Sequence, residues 1–204
     1  MLRAKEKKER ALGVRLFLKA ERCVSSKCAM VKKPYRPGAH GKNRRRALSE
    51  YGQQLLEKQK IMFSYGLREN QLRRIFKESL KKKTAMIDSV INLLERRLDN
   101  VVYRMGFAPS RIMARQYVSH GHIMVNGRKV TIPSFYVKVG DVITIRPESA
   151  SRLIFKDLSS SIKKHEAPSW LALDKDKVEG RIKSLPQDVE MPFDINLVVD
   201  FYSR

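Results

Sequence analysis

Clusters of arginine are the residues best suited to chemistry in this sequence. Three consecutive arginines stand at positions 44–46, beside Lys42, and another pair recurs four residues apart as Arg111 and Arg115, followed by Gln116. A guanidinium is planar, so it can hold two phosphate oxygens at once and can also stack on a base. Both patterns are therefore candidate surfaces for a phosphate backbone, with a solvated charge run at 44–46 and an ordinary polar helix face at Arg111 and Arg115 as the alternatives.

The distribution of charge points to the same kind of partner. The chain of 204 residues carries 43 Lys and Arg against 21 Asp and Glu, a net charge of +22. Residues 1–83 hold 25 basic and 7 acidic side chains, whereas residues 148–204 hold 9 and 10. Such self-repulsion stabilises no fold and is relieved by a polyanion, which releases its counterions. Nucleic acid is the expected partner, and a merely soluble basic surface is the alternative.

Other classes of site find little support. Cys23 and Cys28 supply half the ligands of a closed tetrahedral site, with His40 as a candidate third, so we predict reduced thiols, no metal and no cofactor. Two cysteines also fit a reducing, cytoplasmic setting. No apolar run approaches the roughly 20 residues that cross a bilayer. Phosphate-binding loops and nucleophile motifs are missing from the sequence, so no enzyme is predicted.

Hydrophobic periodicity predicts the elements that position these cations. Residues 1–46 lack it and contain several prolines and glycines, which indicates an extended arm that is ordered only on a partner. Ser49 is a candidate N-cap for a helix that ends near Gly66, and a second helix is predicted over 69–83. The apolar arc from 90 to 105 then predicts one continuous helix that closes at Gly106.

A short helix and a change of period follow. Residues 111–120 predict a helix with an apolar face opposite Arg111 and Arg115. Asn126-Gly127 between two apolar runs is a strong hairpin signal. A second strand pair is predicted between 136–138 and 142–145.

Several separated strings resemble one family in the same order. They are LERRLDNVVYRMGFAPSRIMARQYVSHGHIMVNG (94–127), KCAMVKKPYRPGAHG (27–41), EKQKIMFSYGLRENQLRRIF (57–76), PSWL (168–171) and VVDFYSR (198–204). The first string resembles an RNA-binding module shared with some pseudouridine synthases, tyrosyl-tRNA synthetases and a heat-shock protein. With its flanks, the chain resembles the bacterial ribosomal protein S4 family.

The predicted helices and strands indicate an α+β fold, and the resemblance implies the same fold and a structural role. It implies a basic arm (1–46), a helical domain (47–92 with 170–204) and an RNA-binding module of two helices plus a short antiparallel sheet (93–169). It further implies binding to the 5′ domain of small-subunit ribosomal RNA early in assembly, beside ribosomal protein S5 and near the channel through which messenger RNA enters. Through the S5 contact, the family also bears on decoding fidelity.

The predicted RNA contacts are the cations of the arm, the helical domain and the module, with two polar neighbours. They are Lys32, Lys33, Arg36, Arg44, Arg45, Arg46, Lys58, Arg73, Arg74, Lys82, Lys83, Arg97, Arg104, Arg111, Arg115, Gln116, His120 and Arg128.

The sequence leaves alternatives open. Arg97-Leu98-Asp99 resembles the string around the catalytic aspartate of one pseudouridine synthase group, but it falls inside the predicted helix and the chain has no room for the catalytic domain. A free ribosome-associated or RNA-modifying factor and a repressor acting on messenger RNA both remain possible interpretations, as do a bacterial and an organellar ribosome.

Overall fold

Helices occupy the first part of the chain, and strands appear only after residue 122. The computed structural model describes residues 5–43, 47–81, 85–187, 189 and 191–203. The described residues separate into two units, one built from those up to 87 together with those from 191 onward, and one built from 88–189. The predicted α+β class is confirmed.

Helices outnumber strands in the described part of the chain. The helices are α1 (Lys5–Leu12), α2 (Glu21–Val24), α3 (Ala29–Lys32), α4 (Glu50–Ser64), α5 (Glu69–Leu80), α6 (Met86–Glu95), α7 (Leu98–Arg104), α8 (Arg111–Ser119), α9 (Pro147–Ala150), α10 (Leu158–Lys164) and α11 (Ile195–Ser203). The strands are β1 (Ile123–Val125), β2 (Arg128–Lys129), β3 (Val142–Ile145), β4 (Leu171–Asp174) and β5 (Glu179–Ile182), and a 3₁₀ turn spans Leu153–Phe155.

The prediction of an extended arm is wrong for residues 5–43. This segment forms three short helices, and α1 packs against α3 and α4. Its irregularly spaced apolar residues converge on one small core, because loops as well as helices contribute to it. The buried side chains are Leu12, Leu16, Leu18, Cys23 and Cys28.

The remainder of the first unit is a bundle of α4, α5 and α11. Ser49 caps α4 as predicted, since its hydroxyl accepts a hydrogen bond from the Gly52 amide at 3.2 Å. Helix α11 packs against α4 and α5, and the rings of Phe76 and Tyr202 lie 4.9 Å apart. The C-terminal residues thus complete the helical unit that begins with α4.

The helix predicted across 90–105 is broken into α6 and α7. At the break Arg97 is extended (φ −67°, ψ 134°) and forms a bridge with Tyr136. The Leu98 amide donates to the Phe135 carbonyl at 2.8 Å, and the Val137 amide donates to the Arg96 carbonyl at 3.0 Å. A chain segment some 40 residues downstream therefore takes backbone bonds that a continuous helix would have kept for itself.

The second unit contains one antiparallel sheet in the order β2-β1-β3-β5-β4. The hairpin prediction is confirmed: Val125 faces Arg128 across a turn in which Asn126 (φ 49°) and Gly127 (φ 75°) both have positive φ. The second predicted strand pair is wrong, because β3 pairs with β1 and β5, whereas residues 136 and 137 bond to Arg96 and Arg97.

The predicted domain boundary at residue 170 also needs correction. Strands β4 and β5 belong to the sheet of the second unit, so residues 170–189 join the module and only the segment from 191 onward joins the helical unit. The lack of a side chain at Gly180 lets β5 lie against Met105, because a Cβ there would overlap the Met105 thioether. Met105 lies in a core that also holds Leu98, Val118 and Ile143.

Candidate nucleic-acid interface

Helix α8 presents a polar face because its opposite face is buried. Ser110 begins the helix by accepting a hydrogen bond from the Met113 amide at 3.3 Å. The residues turned toward the core of the module are Ala114, Tyr117 and Val118. On the other side Arg115 is half-buried and Gln116 is exposed. This arrangement matches the amphipathic pattern of the sequence.

Arg111 is held in place by the preceding helix. Its Nε donates to Asn100 Oδ1 at 2.7 Å, and its guanidinium carbon lies 4.7 Å from the centre of the Tyr103 ring. Asn100 is itself fixed, since its amide nitrogen donates to the Glu95 carboxylate at 2.9 Å and to the Glu95 carbonyl at 3.0 Å. The side chain is therefore ordered before any ligand arrives, which lowers the entropic cost of using it in binding.

Glu95 also positions Arg104. The Glu95 carboxylate is fully buried and accepts two parallel hydrogen bonds from Arg104, Nε to Oε2 at 2.9 Å and Nη2 to Oε1 at 3.0 Å. A bidentate pair of this kind fixes the orientation of the guanidinium. One buried carboxylate thus orders Arg104 directly and Arg111 through Asn100.

The hairpin extends the polar face of α8. His120 caps the C-terminus of α8 and is exposed, and β1 begins three residues later. Arg128 is exposed at the turn of the hairpin, and the aliphatic stem of Lys129 lies against Gly121. His120 and Lys129 therefore lie at one end of α8, while Arg128 lies at the turn of the hairpin. Lys129 is absent from the predicted set, although it directly follows Arg128.

Two side-chain hydrogen bonds of Asn126 fix the turn of this hairpin. The Asn126 side chain donates to Asp141 Oδ1 at 2.8 Å and accepts from the Val142 amide at 2.8 Å. Asn126 thus both tolerates positive φ and links the hairpin to β3.

His122 anchors the segment after β3 beneath the same surface. Its Nδ1 lies 2.9 Å from Ser149 Oγ, and its ring contacts that of Phe155 at 5.7 Å between centroids. Burial lowers the pKa of His122, and the positive charges of Arg152, His120 and Arg146 lower it further. The imidazole is therefore neutral at pH 7, and two cations absent from the predicted set, Arg146 and Arg152, lie around it.

Two of the predicted contacts are buried and serve the fold. Arg97 Nε and Nη2 donate to the two carboxylate oxygens of Asp99 at 3.1 and 2.8 Å, and both side chains are buried. Lys58 is buried against Glu69 Oε1 at 3.1 Å and the Phe201 ring at 4.2 Å. Both side chains are buried and paired within the protein, so both residues are removed from the candidate interface.

The buried pair also settles the resemblance of Arg97-Leu98-Asp99 to a catalytic string. A catalytic carboxylate must reach its substrate. The Asp99 carboxylate is instead enclosed with its guanidinium partner.

The remaining predicted contacts lie in the first unit or outside the described residues. Lys32, Lys33 and Arg36 are exposed at and after the end of α3, and Arg73 and Arg74 are exposed on α5. Arg74 pairs with Glu78 at 2.7 Å on the helix surface. The predictions for Arg44, Arg45, Arg46, Lys82 and Lys83 lie outside the described residues.

The two cysteines are buried, and Cys23 lies beside the Glu9 carboxylate. Glu9 Oε1 accepts from the Leu16 and Leu18 amides at 3.0 and 3.2 Å, and its other oxygen lies 3.9 Å from Cys23 Sγ. Burial is the main cause that raises the pKa of the Cys23 thiol, which favours its protonated form. In the described part of the chain, no three His, Cys, Asp or Glu side chains are grouped so that they could hold a metal ion.

We therefore expect protein purified without chelator to contain far less than one zinc or iron per chain. The protonated Cys23 thiol is a poor metal ligand, and the Glu9 carboxylate already holds two amides. Inductively coupled plasma mass spectrometry measures the metal content, with the Cys23→Ser, Cys28→Ser variant as the control. About one metal per chain that disappears in this variant would contradict the prediction.

Among the described residues, no helix combines the length and the apolar character that crossing a membrane requires.

Comparison with known proteins identifies the family. The profile "Ribosomal protein S4/S9 N-terminal domain" matches residues 1–95, and the profile "S4 domain" matches residues 96–143. Small ribosomal subunit protein uS4 of Caldicellulosiruptor bescii is 48% identical over 194 residues, which cover 94% of this chain and 93% of the relative. The uS4 proteins of Natranaerobius thermophilus and Thermus thermophilus are 47% and 46% identical, with the same shares covered. Because these matches run through both units, the chain belongs to the bacterial-type ribosomal protein S4 family.

Proposed function

We propose that this chain is a structural constituent of the small ribosomal subunit, in the cytoplasm, and that it binds small-subunit ribosomal RNA. The observation that carries the proposal is similarity to uS4 proteins over 94% of the chain, which includes the helical unit as well as the module. A free factor that shares only the module would match residues 96–143 alone. The chain is not an enzyme, since the S4 family is structural.

The cations of the module support the RNA-binding part of the proposal. Arg115, Gln116, His120 and Arg128 line α8 and the end of the adjoining hairpin, while Arg104 and Arg111 are held in fixed orientations. Double-stranded RNA is recognised mainly through its shape and backbone, for which ordered cations on a rigid face are suited. In the first unit, Lys32, Lys33, Arg36 and Arg73 extend the set of exposed cations.

The finer role is proposed from family resemblance. The chain would bind the 5′ domain of the ribosomal RNA at a junction of several helices early in assembly. It would neighbour ribosomal protein S5, contribute to the channel through which messenger RNA enters, and so bear on decoding fidelity. Sedimentation of the native protein with small subunits in moderately high salt tests the location. Recovery with free protein or large subunits would contradict it.

We expect the Arg115→Ala, Arg128→Ala variant to bind a transcript of the 5′ domain more weakly at temperatures where it remains folded. Loss of two phosphate contacts should reduce the slope of log affinity against log salt by about two. Arg111 is left in place because Asn100 and Tyr103 hold it, so its loss would also disturb packing. Filter binding at several salt concentrations gives the slope.

Lys177→Ala is the matched control, because Lys177 is an exposed cation of the same unit in the turn between β4 and β5. If the α8 face is the specific interface, the affinity of this variant should stay within about twofold of that of the parent protein. Its slope of log affinity against log salt should stay within about 0.3. Equal losses in both variants would show a diffuse charge effect instead.

A further inference from the structure

Arg10 reaches from α1 to the turn that follows α3. Its Nε donates to the carbonyl oxygens of Lys33 and Tyr35, both at 2.9 Å, and its Nη2 donates to that of Arg36 at 3.3 Å. Three carbonyls, 23 to 26 residues away in the chain, thus converge on one guanidinium. Only arginine offers enough donors in one rigid plane for this arrangement.

The Tyr35 ring makes the same turn more rigid. The Arg10 guanidinium lies 5.0 Å from the ring centre, and Lys42 Nζ lies 5.3 Å from it. Cations at this distance are attracted to an aromatic ring. The ring of Tyr35 is therefore engaged within the protein and belongs to the frame of the turn.

The turn and the residue before it carry three exposed cations besides Arg10. Lys33 and Arg36 contribute their carbonyls to Arg10, but their side chains are exposed, as is that of Lys32 just before them. The backbone carbonyls of the turn therefore bond to Arg10, while the side chains of Lys32, Lys33 and Arg36 remain exposed to solvent. Fixing a backbone in this way removes most of the cost of ordering it when a ligand binds.

We propose that Arg10 is a positioning residue that shapes the 33–36 turn so that Lys33 and Arg36 meet RNA phosphates. Its own guanidinium acts on protein carbonyls rather than on the RNA. The proposal rests on the proposed function, because the phosphates are those of the ribosomal RNA. It assigns a role to a residue that the charge pattern alone would count as one more phosphate contact.

The first test needs no RNA. Backbone ¹⁵N relaxation of the free, full-length protein is measured at Tyr35 and Arg36, whose carbonyls Arg10 holds. Arg10→Lys keeps the charge but not the planar fork, so the order parameters of these two amides should fall from about 0.85 toward about 0.6. Arg15→Lys, an exposed arginine of the same segment, should leave both order parameters unchanged. Unchanged order parameters in the Arg10→Lys variant would overturn the proposal.

The second test uses a transcript of the ribosomal 5′ domain as the probe. Arg10→Lys should bind about tenfold more weakly at constant net charge, because the loosened turn must be ordered on binding. Arg10→Gln should also bind more weakly, but with the salt slope of the parent protein. Arg36→Gln should lower the slope by about one, as expected for a lost phosphate contact. A slope lowered equally by Arg10→Gln would show direct contact with phosphate and overturn the proposal.

A double variant separates positioning from an independent effect. In a Lys33→Gln, Arg36→Gln background, Arg10→Lys should cost less than about twofold, because the residues that it positions are gone. A full tenfold loss there would overturn the proposal. If the parent protein itself does not bind the transcript, the proposed function fails, whereas the relaxation result still decides the role of Arg10 in the turn.

Discussion

Replacing Asp99 by Asn should lower the free energy of unfolding by about 3–5 kcal/mol, because it leaves the Arg97 guanidinium buried without its counter-charge. The two side chains have relative exposures of only 3% and 5%, so water cannot replace the lost carboxylate. The backbone of this pair also bridges to the 133–136 segment, so the loss should reach beyond one contact. Urea unfolding followed by circular dichroism measures the change.

The matched control is Glu78→Gln, which breaks the exposed Arg74–Glu78 pair on α5. The two side chains are 80% and 36% exposed, and such a surface pair contributes no more than about 1 kcal/mol. A second control replaces Arg97 by Met and Asp99 by Leu together, and it should recover much of the loss because no unpaired charge remains. A loss of less than about 1 kcal/mol for Asp99→Asn would show that water reaches the pair.

Leu98→Ala should cost about 2–5 kcal/mol, because it leaves a cavity in the core of the second unit. Leu98 is fully buried at the first turn of α7, among the side chains that join α7, α8 and the sheet. Affinity for the 5′-domain transcript should be retained at low temperature and lost where the variant melts. This pattern distinguishes an effect on stability from an effect on the interface.

Leu153→Ala serves as the control for this variant. Leu153 lies in the 3₁₀ turn of the same unit and is 82% exposed, so its truncation should change stability by less than about 0.5 kcal/mol. A small cost for Leu98→Ala would mean that neighbouring side chains close the cavity.

Local signals in the sequence predicted those elements whose causes are local. Ser49 caps a helix with its own hydroxyl, Asn126-Gly127 adopts the positive φ values that a tight hairpin needs, and α8 is amphipathic over its whole length. Each of these depends on residues within one or two turns. The fold class and the polar face of α8 followed from such signals.

The errors arose where distant segments decide the structure. Apolar spacing continues through Arg96 and Arg97, but the 135–137 segment takes their backbone bonds and breaks the helix. Strand β5 contains Gly180 and Arg181 and has no strand-like alternation, yet it pairs with two neighbours in the sheet. Periodicity within one segment contains no information about such partners.

The same distinction applies to the candidate interface. Gln116 and Arg128 are exposed as their local patterns suggested, whereas Lys58 is buried by Glu69 from the next helix and Phe201 from α11. For Arg97, Asp99 is only two residues away, but the burial of both depends on the core around them. A count of cations therefore overestimates the number that can meet RNA.

The pairing of α11 with α4 has a consequence for synthesis of the chain on the ribosome. Helices α4 and α5 emerge more than a hundred residues before α11, so their apolar faces stay uncovered while the whole of the second unit is translated. At roughly 5–20 residues per second, this interval lasts on the order of ten seconds. The unit that is translated first is thus completed last, and its uncovered apolar faces are prone to aggregation during that interval.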